Sequence, residues 1–309
     1  MIRILPNKND YPLTGERENV IIAADICYCI EKYTKEDLKM SKIEDFIIEN
    51  NTLVQYTGND EHVEIPNGIE AVDNVFRFFK NIKSVFIPES VIDIAYDISY
   101  SCCGLEQITV DINNKVYDSR NNCNALIETK SNKLILGCKN TVIPDTVSTI
   151  EKLAFTKTDI VRITIPKSVK EIGKYAFTDC KDLTGITVDK NNKVFDSRNN
   201  CNAIIETATN KLLFGCKNTV IPDDVEIIGD YAFSGITALK TIAIPDGIKK
   251  IGKCAFEGCC NLTELTIPES VISIAPWAFE ECPDLVIKGS KNSYAHKYAV
   301  NNNIRFETI

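Results

Sequence analysis

The chain has few of the residues on which most active sites depend. Its 309 residues include two histidines, His62 and His296, one tryptophan and two methionines. One histidine is expected in a hairpin and the other in an end cap, so a Ser-His-Asp or Cys-His centre is not expected. The motifs GxxxxGK[ST], GxGxxG and HExxH do not occur. The sequence therefore predicts no catalytic residue, no metal and no cofactor, and it does not favour an enzyme.

The chain also lacks a basic excess and a long apolar run. Its net charge of -8 and pI near 5.1 argue against nucleic acid and anionic membrane surfaces as partners. The longest plain apolar run, residues 20–24, is far shorter than the roughly 20 residues that a membrane-spanning helix needs. The first ten residues lack the charged lead and apolar core of a signal peptide. We therefore expect no membrane span and no export signal in these first residues.

What the chain does contain is a periodic Ile-Pro step. Its prolines recur at spacings of 22, 23 or 56 residues, at Pro66, Pro88, Pro144, Pro166, Pro222, Pro245 and Pro268. Fixed periods of this size indicate a solenoid. The clearest unit, IPDGIKKIGKCAFEGCCNLTELTIP, predicts a strand around residues 264–267, a second extended piece around 271–274, and a helical or irregular corner at AFxxC. One such coil buries too little apolar surface to fold alone, so we expect the coils to stack.

The string IPxxVxxIGxxAFxxCxxLxxIxIP resembles the 23-residue leucine-rich repeat of the BspA-like family, which comprises bacterial surface and secreted proteins and some protozoan ones. The resemblance covers residues 46–287 in seven registered copies. It implies an α/β repeat solenoid: a leucine-rich-repeat right-handed superhelix with a parallel β-sheet, short helical corners, β-hairpin insertions, a helical N-terminal cap and a mixed C-terminal cap. Residues 97–99 and the shortened copy before Phe76 depart from the pattern, so those coils should be the most distorted.

The non-repeating ends and the long proline gaps define the predicted domains. Residues 1–45 are expected to form a helical N-terminal cap, with helices at 16–32 and from Thr34, and residues 288–309 a C-terminal cap with a helix at 293–299 and a strand at 304–308. Between them, the leucine-rich repeat solenoid spans 46–287, with hairpins near 46–65, 113–143 and 191–221. The last two hairpins lie in near-duplicate segments offset by 78 residues.

Thirteen cysteines is an odd and large number, and none of them forms a CxxC pair. Cys180, Cys259 and Cys282 share one repeat position, where a small, weakly donating side chain suits the interior of a turn. The segments that begin at Asp111 and Asp189 have part of the spacing of a calcium loop. Lysine stands where an oxygen ligand belongs, however, so we interpret their Asn and Asp residues as turn formers.

The duplicated hairpins also predict cysteine neighbours. If Glu128 pairs with Lys133, a constant register places Cys123 directly opposite Cys138, and the second copy places Cys201 opposite Cys216. Directly opposed residues are close enough for a disulfide in an oxidising compartment. Our hypothesis is that the thiols of each pair are adjacent but mostly reduced.

The outward side chains of the predicted strands form a ladder on one face. The candidate binding face comprises Phe86, Thr109, Arg162, Thr164, Thr187, Thr241, Glu264 and Thr266. Two interpretations stay open: threonine suits any exposed strand, or the ladder is a shallow concave binding surface of the kind that solenoids commonly use.

Three functions are compatible with these observations. The resemblance implies a non-enzymatic protein-protein interaction or adhesion module that binds a host matrix or cell-surface protein, located at the cell surface or secreted. The missing export signal and the many thiols favour an intracellular, cytoplasmic scaffold instead. An enzyme would need a site in the non-repeating N-terminal region.

Overall fold

The computed structural model describes residues 42–73, 81–95 and 103–309. These residues form stacked β-coils and contain one α-helix, α1 (Tyr294–Asn301). Short 3-10 helices occur at Ile43–Asp45, Arg120–Asn122 and Arg198–Asn200. The helices expected at 16–32 and from Thr34, and the atypical residues 97–99 and Phe76, lie outside the described residues.

The strands, in chain order, are β1 (Phe46–Glu49), β2 (Thr52–Tyr56), β3 (His62–Glu64), β4 (Ala71–Val72), β5 (Ser84–Ile87), β6 (Asp93–Ile94), β7 (Gln107–Val110), β8 (Tyr117–Asp118), β9 (Ala125–Glu128), β10 (Lys133–Gly137), β11 (Thr149–Ile150), β12 (Arg162–Ile165), β13 (Glu171–Ile172), β14 (Gly185–Val188), β15 (Phe195–Asp196), β16 (Ile204–Glu206), β17 (Lys211–Phe214), β18 (Ile227–Ile228), β19 (Lys250–Ile251), β20 (Glu264–Thr266), β21 (Ser273–Ile274), β22 (Val286–Gly289) and β23 (Arg305–Thr308).

The strands β3, β5, β12 and β20 precede an Ile-Pro step, and β7, β14, β22 and β23 extend their sheets in parallel, as the repeat predicts. They form the sheets β3-β5-β7, β12-β14 and β20-β22-β23. Proline has no N–H with which to extend a ladder, so the strand cannot continue through it. At each of the seven aligned prolines the carbonyl accepts a hydrogen bond from the N–H three residues later, at 3.0–3.4 Å. A tight turn therefore follows every Ile-Pro step and starts the next side of the coil.

A second series of sheets lies beyond these turns, and each of its sheets includes an antiparallel hairpin. The sheets are β1-β2-β4-β6, β8-β9-β10-β11-β13 and β15-β16-β17-β18-β19-β21. The first hairpin turns at Asn50 and Asn51, as predicted, and both have positive φ (49° and 61°), which asparagine tolerates. The remaining strands are two residues long; β8 and β15 pair antiparallel with β9 and β16, and the others are parallel. The duplicated hairpins lie at residues 125–137 and 204–214.

The predicted opposition of Cys123 and Cys138 is wrong. Glu128 does pair with Lys133, but a β-bulge then shifts the register so that Leu136 faces Leu126. Because the bulge places an extra residue in β10, the constant register that would align the two cysteines is lost. Cys138 instead donates from Sγ to the carbonyl of Asn124 at 3.1 Å.

The second hairpin repeats this correction for Cys201 and Cys216. Its register shifts between Ile204 and Ile205, and Sγ of Cys216 donates to the carbonyl of Asn202 at 3.4 Å. In each copy the two cysteines belong to different hydrophobic clusters of the core. The ten cysteines in the described residues are all free thiols.

The five coil corners between residues 151 and 282 are turns and not the short helices that the resemblance implies. Two left-handed residues interrupt each of these five corners and prevent a helix from forming. In successive corners, the first left-handed position is occupied by Leu153, Tyr175, Tyr231, Cys254 and Trp277. The second is occupied by Lys157, Asp179, Gly235, Gly258 and Glu281. Neighbouring corners are bonded to each other; for example, the N–H of Phe233 donates to the carbonyl of Ala255, and that of Phe256 to Ala278, both at 2.8 Å.

The phenylalanines of the AF step stack along the core. Ring centroids lie 5.0 Å apart for Phe233 and Phe256 and 5.4 Å apart for Phe256 and Phe279, with planes within 13° of parallel. Where a hairpin interrupts the stack, Phe214 of β17 packs edge-on against Phe177 at 5.4 Å. The coil that contains the hairpin has no AF step, and Phe214 takes the place of the phenylalanine that such a step would contribute.

The cysteines of the AFxxC step lie inside the corners, as expected. Sγ donates to the carbonyl of a phenylalanine in the preceding coil: Cys180 to Phe155 at 3.0 Å, and Cys259 to Phe233 at 3.2 Å. Burial raises the pKa of the Cys180 thiol to about 12. These thiols therefore stay protonated and serve as small donors in the core.

One buried asparagine joins each duplicated hairpin to the preceding coil. Nδ2 of Asn192 donates to the carbonyls of Pro166 and Val169 at 2.8 and 3.0 Å, and its Oδ1 accepts from the N–H groups of Val194 and Phe195. Asn114 makes the same four contacts in the first copy. One side chain thus satisfies four backbone groups that no strand partner reaches.

The C-terminal segment closes on the last coil. Helix α1 begins after Ser293, whose Oγ accepts from the N–H of His296 at 3.2 Å, a typical N-cap contact. Tyr298 packs edge-on against Phe279 with centroids 5.9 Å apart. Strand β23 then adds to β22 in parallel register. The helix and the strand agree with the elements predicted at 293–299 and 304–308.

Candidate interaction surface

Seven of the eight residues predicted for the binding face lie on the parallel strands β5, β7, β12, β14 and β20. Phe86 of β5 is directly opposite Thr109 of β7, and both are half-buried. Thr164 of β12 is opposite Thr187 of β14, and both are exposed. Arg162, Glu264 and Thr266 are also exposed. The alternation of strand side chains explains why these positions share one face. We call these seven residues the outward face.

Thr241, the eighth residue, is exposed but lies outside any strand, because residues 241–245 are irregular. The ladder is also divided among three sheets rather than continuous. At one break, Thr141 folds inward: its Oγ1 donates to the carbonyl of Asn124 at 2.6 Å and accepts from the N–H of Cys138 at 2.7 Å. The backbone beside Thr141 is bonded within the hairpin segment, where the N–H of Val142 donates to the carbonyl of Cys123. It therefore does not form a strand that would connect β7 to β12.

The charges of the outward face differ along its length. Beside β7, Lys139 bonds Glu106 at 2.7 Å, and this hydrogen bond lowers the pKa of the Glu106 carboxyl. At the C-terminal sheet, Lys288 lies between Glu264 at 2.7 Å and Glu307 at 3.3 Å, and the hydrogen bond that it donates to Glu264 contributes most to raising the lysine pKa. These pairs are solvent-exposed and stabilise the fold little. The central part, with Arg162, Thr164 and Thr187, is mainly polar and uncharged.

Arg162 has a defined position on this face. It is directly opposite Gly185, and a methyl group at Gly185 would lie 2.9 Å from Nη1 of the arginine. The glycine therefore leaves room for the guanidinium to lie across the neighbouring strand. A planar donor group held in this way suits recognition of a carboxylate.

The segments with calcium-like spacing are turns, as interpreted from the sequence. Oδ1 of Asp111 accepts from the N–H of Asn113 at 2.8 Å, and Asp189 binds Asn191 in the same way at 2.7 Å. Among the described residues, no group of three or more His, Cys, Asp or Glu side chains could hold a metal ion.

The two histidines occupy separate elements. His62 lies on β3 and not in a hairpin, with Nδ1 at 2.7 Å from Oγ of Ser84. His296 lies in α1, where Nδ1 accepts from the N–H of Asn292 at 3.0 Å. Each ring therefore has a local structural partner.

The sequence interpretation missed one surface feature, the aromatic residues at the first left-handed corner position. Tyr175 and Tyr231 are adjacent, with centroids 4.5 Å apart, and Trp277 is 54% exposed. The repeat alignment holds the signal, because GKYAF, GDYAF and APWAF carry an aromatic residue directly before AF. The alignment on the prolines assigns no core role to the position before AF, so it does not mark these aromatic residues as neighbours.

Stacked parallel coils with an Ile-Pro turn and a phenylalanine column define a β-solenoid of the leucine-rich repeat class. A family model described as "BspA type Leucine rich repeat region (6 copies)" matches residues 46–136, 125–213 and 204–308. The chain belongs to this family. Repeat solenoids of this class are typically binding scaffolds. In the described ranges, no helix is long and apolar enough to span a membrane.

Several solved structures are similar. A leucine-rich repeat protein from Eubacterium ventriosum is 20% identical with a TM-score of 0.53, and the match covers 78% of this chain and 66% of that one. A leucine rich cell surface protein from Faecalibacterium prausnitzii is 22% identical (TM-score 0.37; 82% and 94% covered). The pneumococcal vaccine antigen PcpA is 16% identical (TM-score 0.43; 82% and 69% covered). No curated protein matches the sequence. At these identities the first structure supports the fold alone.

Proposed function

We propose that the protein is a non-enzymatic recognition module of the adhesion type, and that it binds a protein ligand through the outward face. The observation that carries the proposal is the row of exposed side chains held at fixed register on rigid strands, above all Thr164 opposite Thr187 with Arg162 beside them. A parallel sheet positions such groups with little loss of entropy on binding. The names of two similar structures, a cell surface protein and a vaccine antigen, are in keeping with display outside the cell.

We also propose the architecture around this face. Residues 46–287 form a right-handed leucine-rich repeat superhelix, residues 1–45 a helical N-terminal cap, and residues 288–309 a mixed C-terminal cap. The placement of α1 and β23 against the last coil supports the C-terminal part of this division. Solenoids need atypical terminal units to cover their open ends.

The proposal is tested by introducing positive charge on the face. The variant F86K/T164K/T187K adds three positive charges to the outward face, and the matched control I92K/V142K/I272K adds three at side chains that are 56–72% exposed elsewhere. Binding to a panel of purified extracellular-matrix proteins and to intact host cells is measured by surface plasmon resonance and cell adhesion. We expect the face variant to lose at least about tenfold in affinity and the control to retain binding. Equal binding by both variants would contradict the proposal.

An intracellular scaffold is a second candidate, and the free thiols favour it. Buried cysteines such as Cys180 and Cys259 each donate to a backbone carbonyl, an arrangement that a reducing compartment preserves. Protease treatment of intact cells distinguishes the two locations, because a surface protein is degraded and an intracellular one is protected. An enzyme would instead show turnover of generic hydrolase substrates that is lost when residues 1–45 are deleted.

A further inference from the structure

A cleft of about 270 Å³ lies at the coil corners. The rings of Tyr175 and Tyr231 form part of its lining, with planes inclined at 71°. Strand β17 contributes apolar side chains, and the polar lining consists of Lys174, Lys211, Lys253 and Asp230. Three lysines and one aspartate give the cleft a local positive charge, although the whole chain has a net charge of -8.

Two of these lysines are available to a ligand. Among the residues that the structure describes, neither Lys174 nor Lys211 has an ion-pair partner. The third, Lys253, lies over the Trp277 ring, with Nζ 4.7 Å from its centroid. An ammonium group donates up to three hydrogen bonds, and such charge-assisted bonds are stronger to an anionic oxygen than to a neutral one.

The duplicated hairpin provides an internal comparison. In the first copy, the lysine equivalent to Lys211 is Lys133, and its Nζ bonds Oε1 of Glu151 at 2.9 Å. In the second copy a glycine, Gly229, replaces that glutamate, and Tyr231 replaces Leu153. Leucine and tyrosine adopt the same left-handed conformation at this position (φ 65° and 59°). The fold therefore requires neither the tyrosine nor an unpaired lysine, and the second copy has acquired both.

The cleft is also held in place before any ligand arrives. The N–H of Tyr231 donates to the carbonyl of Lys253, and the N–H of Lys253 donates to Oδ1 of Asp230, both at 2.9 Å. Oγ1 of Thr156 donates to the carbonyl of Tyr175 at 2.6 Å. The neighbouring Tyr175 hydroxyl is the largest of the effects that raise the pKa of Tyr231, so the Tyr231 phenol stays neutral. Pre-positioned groups of this kind bind with a smaller entropic cost.

We propose that the cleft lined by Tyr175 and Tyr231 binds a single acidic sugar unit, with the tyrosine rings against the pyranose and Lys174 and Lys211 on its carboxylate or sulfate. The volume is below the 300–1,000 Å³ typical of sites for drug-sized ligands, which favours one ring over an extended peptide. Tyrosine offers an apolar ring with a polar end, which suits a ligand with apolar C–H faces and hydroxyl edges. The site is independent of the outward face, because none of its lining residues belongs to that face.

The test uses the whole chain and defined sugars. Binding of a glucuronate-containing disaccharide, glucose 6-sulfate, unmodified glucose and a poly-glutamate peptide is measured by saturation-transfer NMR and titration calorimetry. We expect the two acidic sugars to bind, glucose and the peptide to bind much more weakly, and affinity to fall as ionic strength rises, because a lysine contact is screened by salt. The sulfated and carboxylated probes distinguish which anion is preferred.

Two variants and one matched control assign the site. Y231L introduces the residue that the first copy already accepts, and K211Q removes one charge without changing the backbone. We expect each to weaken acidic-sugar binding by about fivefold or more, and K133Q, the same change in the first hairpin, to leave it within about twofold. Circular dichroism checks that the variants are folded. Absence of acidic-sugar binding, equal binding of glucose, preference for the peptide, or an equal loss in K133Q would each overturn the proposal.

Discussion

Asn192 should be among the most sensitive polar residues in the chain. Its amide makes four hydrogen bonds of 2.8–3.0 Å to backbone groups, and the residue is 8% exposed. Replacement by alanine leaves two carbonyls and two N–H groups without this partner. At about 1 kcal/mol for each hydrogen bond, N192A should lower the free energy of unfolding by about 4 kcal/mol. N192D should be equally harmful, because a carboxylate cannot donate to the carbonyls of Pro166 and Val169.

The assay is urea unfolding followed by circular dichroism and by the intrinsic fluorescence of Trp277. Trp277 reports on the C-terminal coils and circular dichroism on all coils, so a loss of cooperativity between units appears as separated transitions. The neighbouring Asn191 is exposed and bonds only within its own turn, so N191A should change stability by less than about 0.5 kcal/mol. If N192A were no more destabilising than N191A, the assignment of a four-bond linking role would be refuted.

Four further predictions rest on packing and burial. A methyl group at Gly215 would lie 2.2 Å from Cε1 of Phe233, so G215A should lower stability by about 1–3 kcal/mol in urea unfolding. F256A removes a fully buried ring that stacks on both neighbours and should cost about 3–5 kcal/mol, measured in the same way. The pKa of Cys180 rises from 9.0 to about 12 on folding, so its contribution to stability is complete below pH 9 and declines towards pH 12; C180A should remove this decline. In native protein, mass spectrometry after alkylation should find exposed Cys260 labelled well before Cys180.

The repeat could be predicted from the sequence because its signals are local. Proline ends a strand whatever surrounds it, and the alternation around Leu265 marks one buried face, so the strand at Glu264–Thr266 and the second extended piece near Ser273–Ile274 were expected correctly. The thiol position of Cys180 was also evident, since one repeat column carries a small donor. The hairpin pairing of Glu128 with Lys133 follows from turn length alone.

Other features depend on contacts between segments that are distant in sequence. The bulge in β10 separates Cys123 from Cys138, and Gly137, which follows it, packs against the Phe155 ring: a methyl group there would lie 2.1 Å from Cε1 of Phe155. The division of the outward face arises because Thr141 bonds the hairpin and not the next strand. Tyr175 and Tyr231 are 56 residues apart in sequence. They are neighbours because the hairpin between them adds no corner of its own, so the corners before and after the hairpin are adjacent.

The amino-acid order alone determined that the chain winds into stacked coils, because strand ends, turns and core columns are set by neighbours within one unit. Only the tertiary structure decided which surface residues come together. Each hairpin changes which corners and strands are adjacent, and that adjacency depends on long-range packing and hydrogen bonding that no single repeat encodes.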